Sequence, residues 1–238
     1  MKKLLASMVI VLFISSLFAV ESDPSTVVGY VEYGLTFNVA LEDTDLNFIA
    51  LPMDAGYTLA SGVGTDVGVC DVVSYWDAAS QQWSSATDLG FPLGWVGDFA
   101  VAPGDPLMVN VTADVNFYVA GDLPAAANYS LIFNAALEDT DLNAIMVPLD
   151  QTFTLASGVG TDIGVCDVVS YWDAASQQWS SATDLGFPLG WVGDFAVTIA
   201  DPLMVNVTGA ASWPTALLMS NEQAQTKIVN TNLKKNRK

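Results

Sequence analysis

The sequence predicts a mainly β protein of two tandem homologous modules of about 90 residues, each a small β-sandwich or barrel-like sheet with one short helix. Three observations carry this. The chain repeats itself at a spacing of 96 positions: Cys70 to Val101 recurs unchanged at Cys166 to Val197, and Asp105 to Thr112 returns as Asp201 to Thr208. That period is far longer than a solenoid repeat and matches one small domain. Within each copy, short β-branched and aromatic runs alternate with turn residues. Hydrophobic residues make up 52% of the chain and charged ones only 14%, a balance that favours a packed core over disorder.

The elements follow in order. Each module opens on an apolar stretch, Leu35 to Leu41 and Leu131 to Leu137, followed by a polar turn at Glu42 to Asp45 in the first copy. Leu46 to Met53 and Leu142 to Leu149 read as strands. Thr58 is placed to cap a brief helix running to Asp66, because Leu59 and Val63 lie one turn apart, although Gly62 and Gly64 weaken it. Asp71 to Asp77 is the next strand, and Ala78-Ala79-Ser80 turns it back through Gln81 to Ser84 as a hairpin. Trp95 to Val101 is another strand. Pro103 to Pro106 then makes a tight turn into Leu107 to Thr112, and the second copy, with Ile199-Ala200 there, implies that the glycine is dispensable. Asn116 to Ala120 closes the first module.

The ends differ from the modules. Lys2 and Lys3, the apolar run Leu4 to Phe18 and the small Ala19 read as a signal peptide over 1–19. The expected organisation is then an N-terminal linker over 20–32, module 1 over 33–120, a linker over 121–128, module 2 over 129–214 and a basic tail, expected to be disordered, over 215–238. Every basic residue lies at an end: between Lys3 and Lys227 there is no Lys, Arg or His, while all 26 acidic residues fall in that interval. Nucleic-acid binding needs cations to displace phosphate counterions and is therefore excluded. Catalysis built on His, Lys or Arg is unavailable in the modules, and no enzymatic activity is expected. Cys70 and Cys166 occupy equivalent repeat positions and read as one buried free thiol per module.

The motifs resemble a family of secreted bacterial repeat modules, whose pattern runs W-N-L-I-S-L-P-L, a short helix, V-S-x-W-D-A-A-T-Q and P-G-x-x-Y-x-V-x-V. Here these stand as Leu46 to Met53 (LNFIALPM), Val73 to Gln81 (VSYWDAASQ) and Pro103 to Val111 (PGDPLMVNV). The resemblance implies a non-catalytic part of an exported or cell-surface protein, with no assigned chemistry. The chain departs from the pattern at Tyr75, where relatives carry a basic residue.

Two constellations are candidate sites. Asp43, Asp45 and Asn47, repeated as Asp139, Asp141 and Asn143, have the D-x-D-x-N opening of a calcium loop, but Phe48 stands where that loop needs glycine. Calcium is thus the one candidate cofactor, and the competing reading is a polar turn entering a strand. Tyr75, Trp83 and Trp95, repeated as Tyr171, Trp179 and Trp191, offer aromatic faces on which sugar rings stack. Core packing is their competing role. The expectation is an exported, non-catalytic structural or adhesive protein of the cell surface. Its partners would be other extracellular proteins or glycans, without nucleic acid and without membrane insertion once the signal peptide is cleaved. Carbohydrate binding through the aromatics and a calcium-stabilised surface array are the alternatives.

Overall fold

The computed structural model describes residues 29–37, 45–124, 128–134 and 141–214. The first module holds β1 (Gly29–Leu35), β2 (Leu46–Ala50), α1 (Ala60–Val67), β3 (Cys70–Asp77), β4 (Gln82–Asp88), β5 (Trp95–Val96), β6 (Pro106–Val111) and β7 (Val115–Gly121). The second repeats them as β8 (Tyr129–Leu131), β9 (Leu142–Met146), α2 (Ala156–Ile163), β10 (Cys166–Asp173), β11 (Gln178–Asp184), β12 (Trp191–Val192), β13 (Pro202–Val207) and β14 (Ala211–Trp213). Each module is a five-stranded antiparallel sheet, ordered β2-β6-β3-β4-β5 and β9-β13-β10-β11-β12, with a two-stranded ribbon, β1–β7 or β8–β14. The fold is mainly β, as the alternating runs predict.

The layers close because alternate strand residues turn to one face. In module 1, Leu35, Phe117 and Val119 of the ribbon and Ala60 and Val63 of α1 meet Ile49, Val73 and Val109 of the sheet in one buried cluster. Leu131 and Trp213 of the second ribbon do the same with α2 and Ile145, Val169 and Val205.

The helix is held from a distance. Leu59, rather than Thr58, is the N-cap residue of α1, and it makes no side-chain capping bond. Asp98 takes that role from far along the chain: its Oδ1 accepts from Ser61 N–H at 3.0 Å and its Oδ2 from Ser61 Oγ at 2.6 Å. Asp194 does the same for Ser157 at the start of α2, at 3.0 and 2.6 Å. This explains why the expected strand from Trp95 to Val101 stops at Val96. The backbone must leave the sheet after Val96 to bring Asp98 to the helix, and Ala100 then forms an isolated bridge with Leu59, the residue that opens α1. Gly64, unfavourable by helix propensity, is a notch: a Cβ there would lie 2.2 Å from Trp95 Cη2.

Other differences concern boundaries. The hairpin strand β4 runs to Asp88 rather than ending near Ser84. β1 begins at Gly29, inside the stretch read as linker, and Gly121 belongs to β7. A Cβ at Gly121 would lie 2.1 Å from Asp54 O, so only glycine admits the backbone pairing of Asp54 with Asp122. At the tight turn the replacement of Gly104 by Ala200 keeps the backbone hydrogen bonds, Gly104 N–H to Leu51 O becoming Ala200 N–H to Val147 O. Gly104 has φ 99° and Ala200 has φ 68°, so the alanine carries a left-handed conformation that costs about 1–2 kcal/mol. Glycine is therefore the unstrained residue at that position.

Candidate functional site

An edge strand presents a row of peptide groups without a neighbour. β2 and β9 are such edges, and each is met by the hairpin tip of the other module. Gln81, at the β3–β4 turn, donates from Nε2 to Leu142 O and accepts at Oε1 from Leu142 N–H, both at 2.9 Å. Its side-chain amide thus pairs with one peptide group as an adjoining strand would. Trp76 Nε1 donates to the same carbonyl at 2.8 Å. Gln177 and Trp172 repeat the arrangement on Leu46, at 2.9, 2.9 and 2.7 Å. Tyr33 OH donates to Ala200 O at 2.9 Å, and Tyr129 OH donates to Gly104 O at 2.7 Å. Each bond has a counterpart displaced by one repeat, so the modules meet about a pseudo-twofold axis. Gln81 and Gln177 both hold φ 55°, a left-handed conformation sustained by the seam they close.

Aromatic rings fill the same seam. Trp76 packs edge-on to Trp83 with centroids 5.3 Å apart, and Trp172 to Trp179 at 5.2 Å. Phe48 lies 6.3 Å from Trp83 and 5.5 Å from Trp179, bridging the modules. Beside it opens a cleft of about 390 Å³ lined by Phe48, Tyr171, Trp172, Phe195, Pro202 and Asp201 among others.

The aromatic sugar candidates fall in different places. Tyr75 and Tyr171 pack on Phe99 and Phe195, with centroids 4.6 Å apart in each pair. Trp95 and Trp191 fill the notches at Gly64 and Gly160. Trp83 and Trp179 sit at the seam, 37% and 38% exposed. The six candidates therefore do not form one surface; Tyr171 alone among them lines the cleft.

Of the calcium candidates, Asp43 and Asp139 lie outside the described residues. Asp45, Asn47, Asp141 and Asn143 are buried. Asn47 Oδ1 accepts from Thr36 N–H at 2.8 Å while its Nδ2 donates to Thr36 O and Asp45 O, and Asn143 does the same with Ile132 and Asp141. Both asparagines thus pin the ribbon strand to the sheet edge. Among the described residues no group of three or more His, Cys, Asp or Glu is placed to hold a metal ion. Cys70 and Cys166 are free thiols, and burial pushes both up to about 12.

No local pattern marks Gln81 and Gln177 as bridging residues, or separates Phe91 and Phe187, in the turns after β4 and β11, from the other aromatic residues of the repeat. These turns, Leu89 to Gly94 and Leu185 to Gly190, are closed by their own backbone: Leu89 N–H donates to Gly94 O, and both Leu93 and Gly94 donate to Gly90 O. Phe91 and Phe187 stand at their tips, 101% and 102% exposed, flanked by exposed Leu89, Leu93, Leu185 and Leu189. A turn already satisfied by its backbone does not need a phenylalanine in water to form.

The carboxylates set the pH response. Burial is the largest single influence on Asp98 and Asp194 and works to raise them, but hydrogen bonds from Ser61 and from the Phe99 and Ala60 N–H groups, and from Ser157, Phe195 and Ala156 in the second copy, together outweigh it and hold both below the ordinary range. The Ser80 and Ser176 hydroxyls, then the Ala79 and Ala175 N–H groups, lower Asp77 and Asp173. A lowered carboxyl stabilises the fold above its unfolded value, near pH 3.9, and loses that contribution only as pH falls through its folded value. Burial raises Asp105, whose contribution is present at low pH and lost as pH rises through its folded value. None of the lowered groups titrates near neutrality, and the formal charge of −19 makes the modules self-repelling. The melting temperature is therefore expected to rise from about pH 7 to about pH 5, and with added salt, then to fall below about pH 4. Calorimetry across that range checks this; a steady fall from neutrality would show that specific carboxylate contacts dominate instead.

No family model, no curated protein and no solved structure matches the chain. Among the described residues no helix is long and apolar enough to cross a membrane.

Proposed function

We propose that this is an exported, non-catalytic structural or adhesive protein of the cell surface, which makes contact through its two apolar turns. The observation that carries the proposal is the full exposure of Phe91 and Phe187 on identical, backbone-closed turns. A rigid exposed aromatic loses little conformational entropy on docking, and aromatic anchors dominate binding energy. Two copies on one chain add avidity where both engage. The signal-like N-terminus and the likeness to secreted repeat modules support export. With no Lys, Arg or His between Lys3 and Lys227, the modules favour partners that are neutral or basic at their rim.

The test is retention of the labelled mature chain on intact producing cells, compared with the Phe91→Ser/Phe187→Ser variant. Retention is expected to drop by at least about tenfold with the melting temperature preserved. Equal retention overturns the reading. If a glycan competes for retention and changes tryptophan emission while the variant still binds, the cleft beside Phe48 and Tyr171 carries the binding instead.

A further inference from the structure

The cleft of about 390 Å³ beside Phe48 has the volume of a small-molecule site. Both modules build it, Phe48 coming from β2 and Tyr171, Trp172, Phe195 and Asp201 from the second module. Four of its lining residues are therefore aromatic, one is a carboxylate and none is cationic. Tyr171 and Phe195 meet with centroids 4.6 Å apart and planes inclined at 59°, so the two rings make a corner rather than a flat stack. Trp172 has its Nε1 donor engaged by Leu46 O at 2.7 Å, which leaves ring surface as its contribution to the cleft. Asp201 is held in place by Thr198, whose N–H and Oγ1 donate to its Oδ2 and Oδ1 at 2.6 and 2.9 Å.

We propose that this cleft binds a small organic cation with an alkylated ammonium head, the head lying against the aromatic rings with Asp201 as its counter-ion. The ligand classes separate on their chemistry. An anion would meet a carboxylate in a chain of formal charge −19. A metal ion wants several hard oxygens, and among the described residues no group of three or more His, Cys, Asp or Glu is placed to hold one. A sugar needs hydrogen-bonding groups at many points of its rim, and here the indole donor of Trp172 is already engaged. A neutral apolar ligand would take water from Asp201 and offer it no partner. An alkylated ammonium matches both parts of the lining: its charge, spread over weakly hydrated methyl groups, is attracted by ring faces and by the carboxylate together. The acidic field of the whole chain also raises the local concentration of such cations. The inference holds whether or not the turns at Phe91 and Phe187 carry adhesion.

The test titrates the full mature chain with choline and with neutral dimethylbutanol, which has the same shape with carbon in place of nitrogen, and follows the emission of its tryptophans. Ionic strength is held constant with sodium chloride, because any salt screens a chain this acidic. Choline is expected to change the emission saturably, and the alcohol to bind at least about tenfold more weakly. Asp201→Asn keeps the shape of the side chain and an acceptor for Thr198, and should weaken choline binding by about tenfold with the melting temperature preserved. Phe195→Leu, which replaces one ring by an aliphatic group, should weaken it by at least about threefold. The proposal is overturned if choline gives no saturable change beyond that of sodium chloride, if the alcohol binds as tightly, or if the folded Asp201→Asn chain binds choline unchanged. A neutral methyl glucoside acting at lower concentration than choline would also overturn it, in favour of a sugar. Should a variant fail to fold, the comparison of choline with the alcohol on the unaltered chain decides by itself.

Discussion

Replacing Trp213 with alanine is expected to cost about 3–5 kcal/mol, the largest loss for a single substitution in the second module. The indole is 0% exposed, lies between Tyr129 and Phe153 with ring centroids 6.1 Å away on each side, and donates from Nε1 to Asp162 Oδ2 at 2.9 Å. Removing it opens a cavity where the β8–β14 ribbon meets α2 and leaves that carboxylate without its indole donor. Module 1 meets the same need differently. Trp213 corresponds to Phe117 and Phe153 to Tyr57, and there the Tyr57 hydroxyl donates to Asp66, the counterpart of Asp162. Each helix end thus receives one aromatic donor, from the tyrosine in one module and the tryptophan in the other. Trp213→Phe should cost far less than Trp213→Ala, and the double variant Trp213→Phe/Phe153→Tyr should regain part of that smaller loss by rebuilding the first module's arrangement. Urea unfolding followed by circular dichroism measures all three. A Trp213→Ala cost within about 1 kcal/mol would mean that the ribbon is not held by this ring.

Removing both seam glutamines is expected to separate the modules without unfolding them. Gln81→Ala/Gln177→Ala deletes four hydrogen bonds across the seam and two within the hairpins, to Ala78 O and Ala174 O, and leaves the N–H groups of Leu142 and Leu46 without partners at a partly buried edge. Each stranded peptide group costs about 1–3 kcal/mol, while the cores around Val73 and Val169 keep their contacts. Alanine also keeps the strain of φ 55°, so the loss is not relieved by the backbone. Gln81→Gly/Gln177→Gly removes that strain and should recover stability within each hairpin without restoring the seam. Small-angle scattering is expected to show an expanded particle for both pairs of substitutions, with far-ultraviolet dichroism unchanged. A particle of unchanged size would place the cohesion of the seam in its apolar packing and its tyrosine and tryptophan hydrogen bonds.

The legible part of this molecule is the part set by local chemistry. The duplication, the β content, the hairpin turn at Ala78 to Ser80 and the brief helix near Ala60 all follow from short-range pattern. The helix cap escapes short-range pattern because Thr58 has the right chemistry at a plausible position, while Asp98, which does the capping, lies 37 residues from Ser61. The strand at Trp95 is shorter than its pattern suggests for the same reason: the apolar residues that follow look strand-like, but the chain leaves the sheet to deliver that aspartate. Trp95 itself carried no sign that it would lie over Gly64, because a tryptophan committed to packing and one that awaits a ligand are the same residue in sequence. The full exposure of Phe91 is equally absent from the pattern. Its exposure depends on a turn whose backbone closes without it.

The sequence by itself determined that there are two like modules, that they are strongly acidic, and that no histidine, lysine or arginine chemistry operates within them, because composition and repetition are properties of the chain alone. Only the tertiary structure decided that those modules face each other about a twofold, that Gln81 and Gln177 reach across to the edges of the opposite sheets, and that Phe48 packs against a tryptophan of each module. The physical reason is that a sheet edge and a side-chain amide become partners through where the two cores place them, which no pattern along one strand encodes.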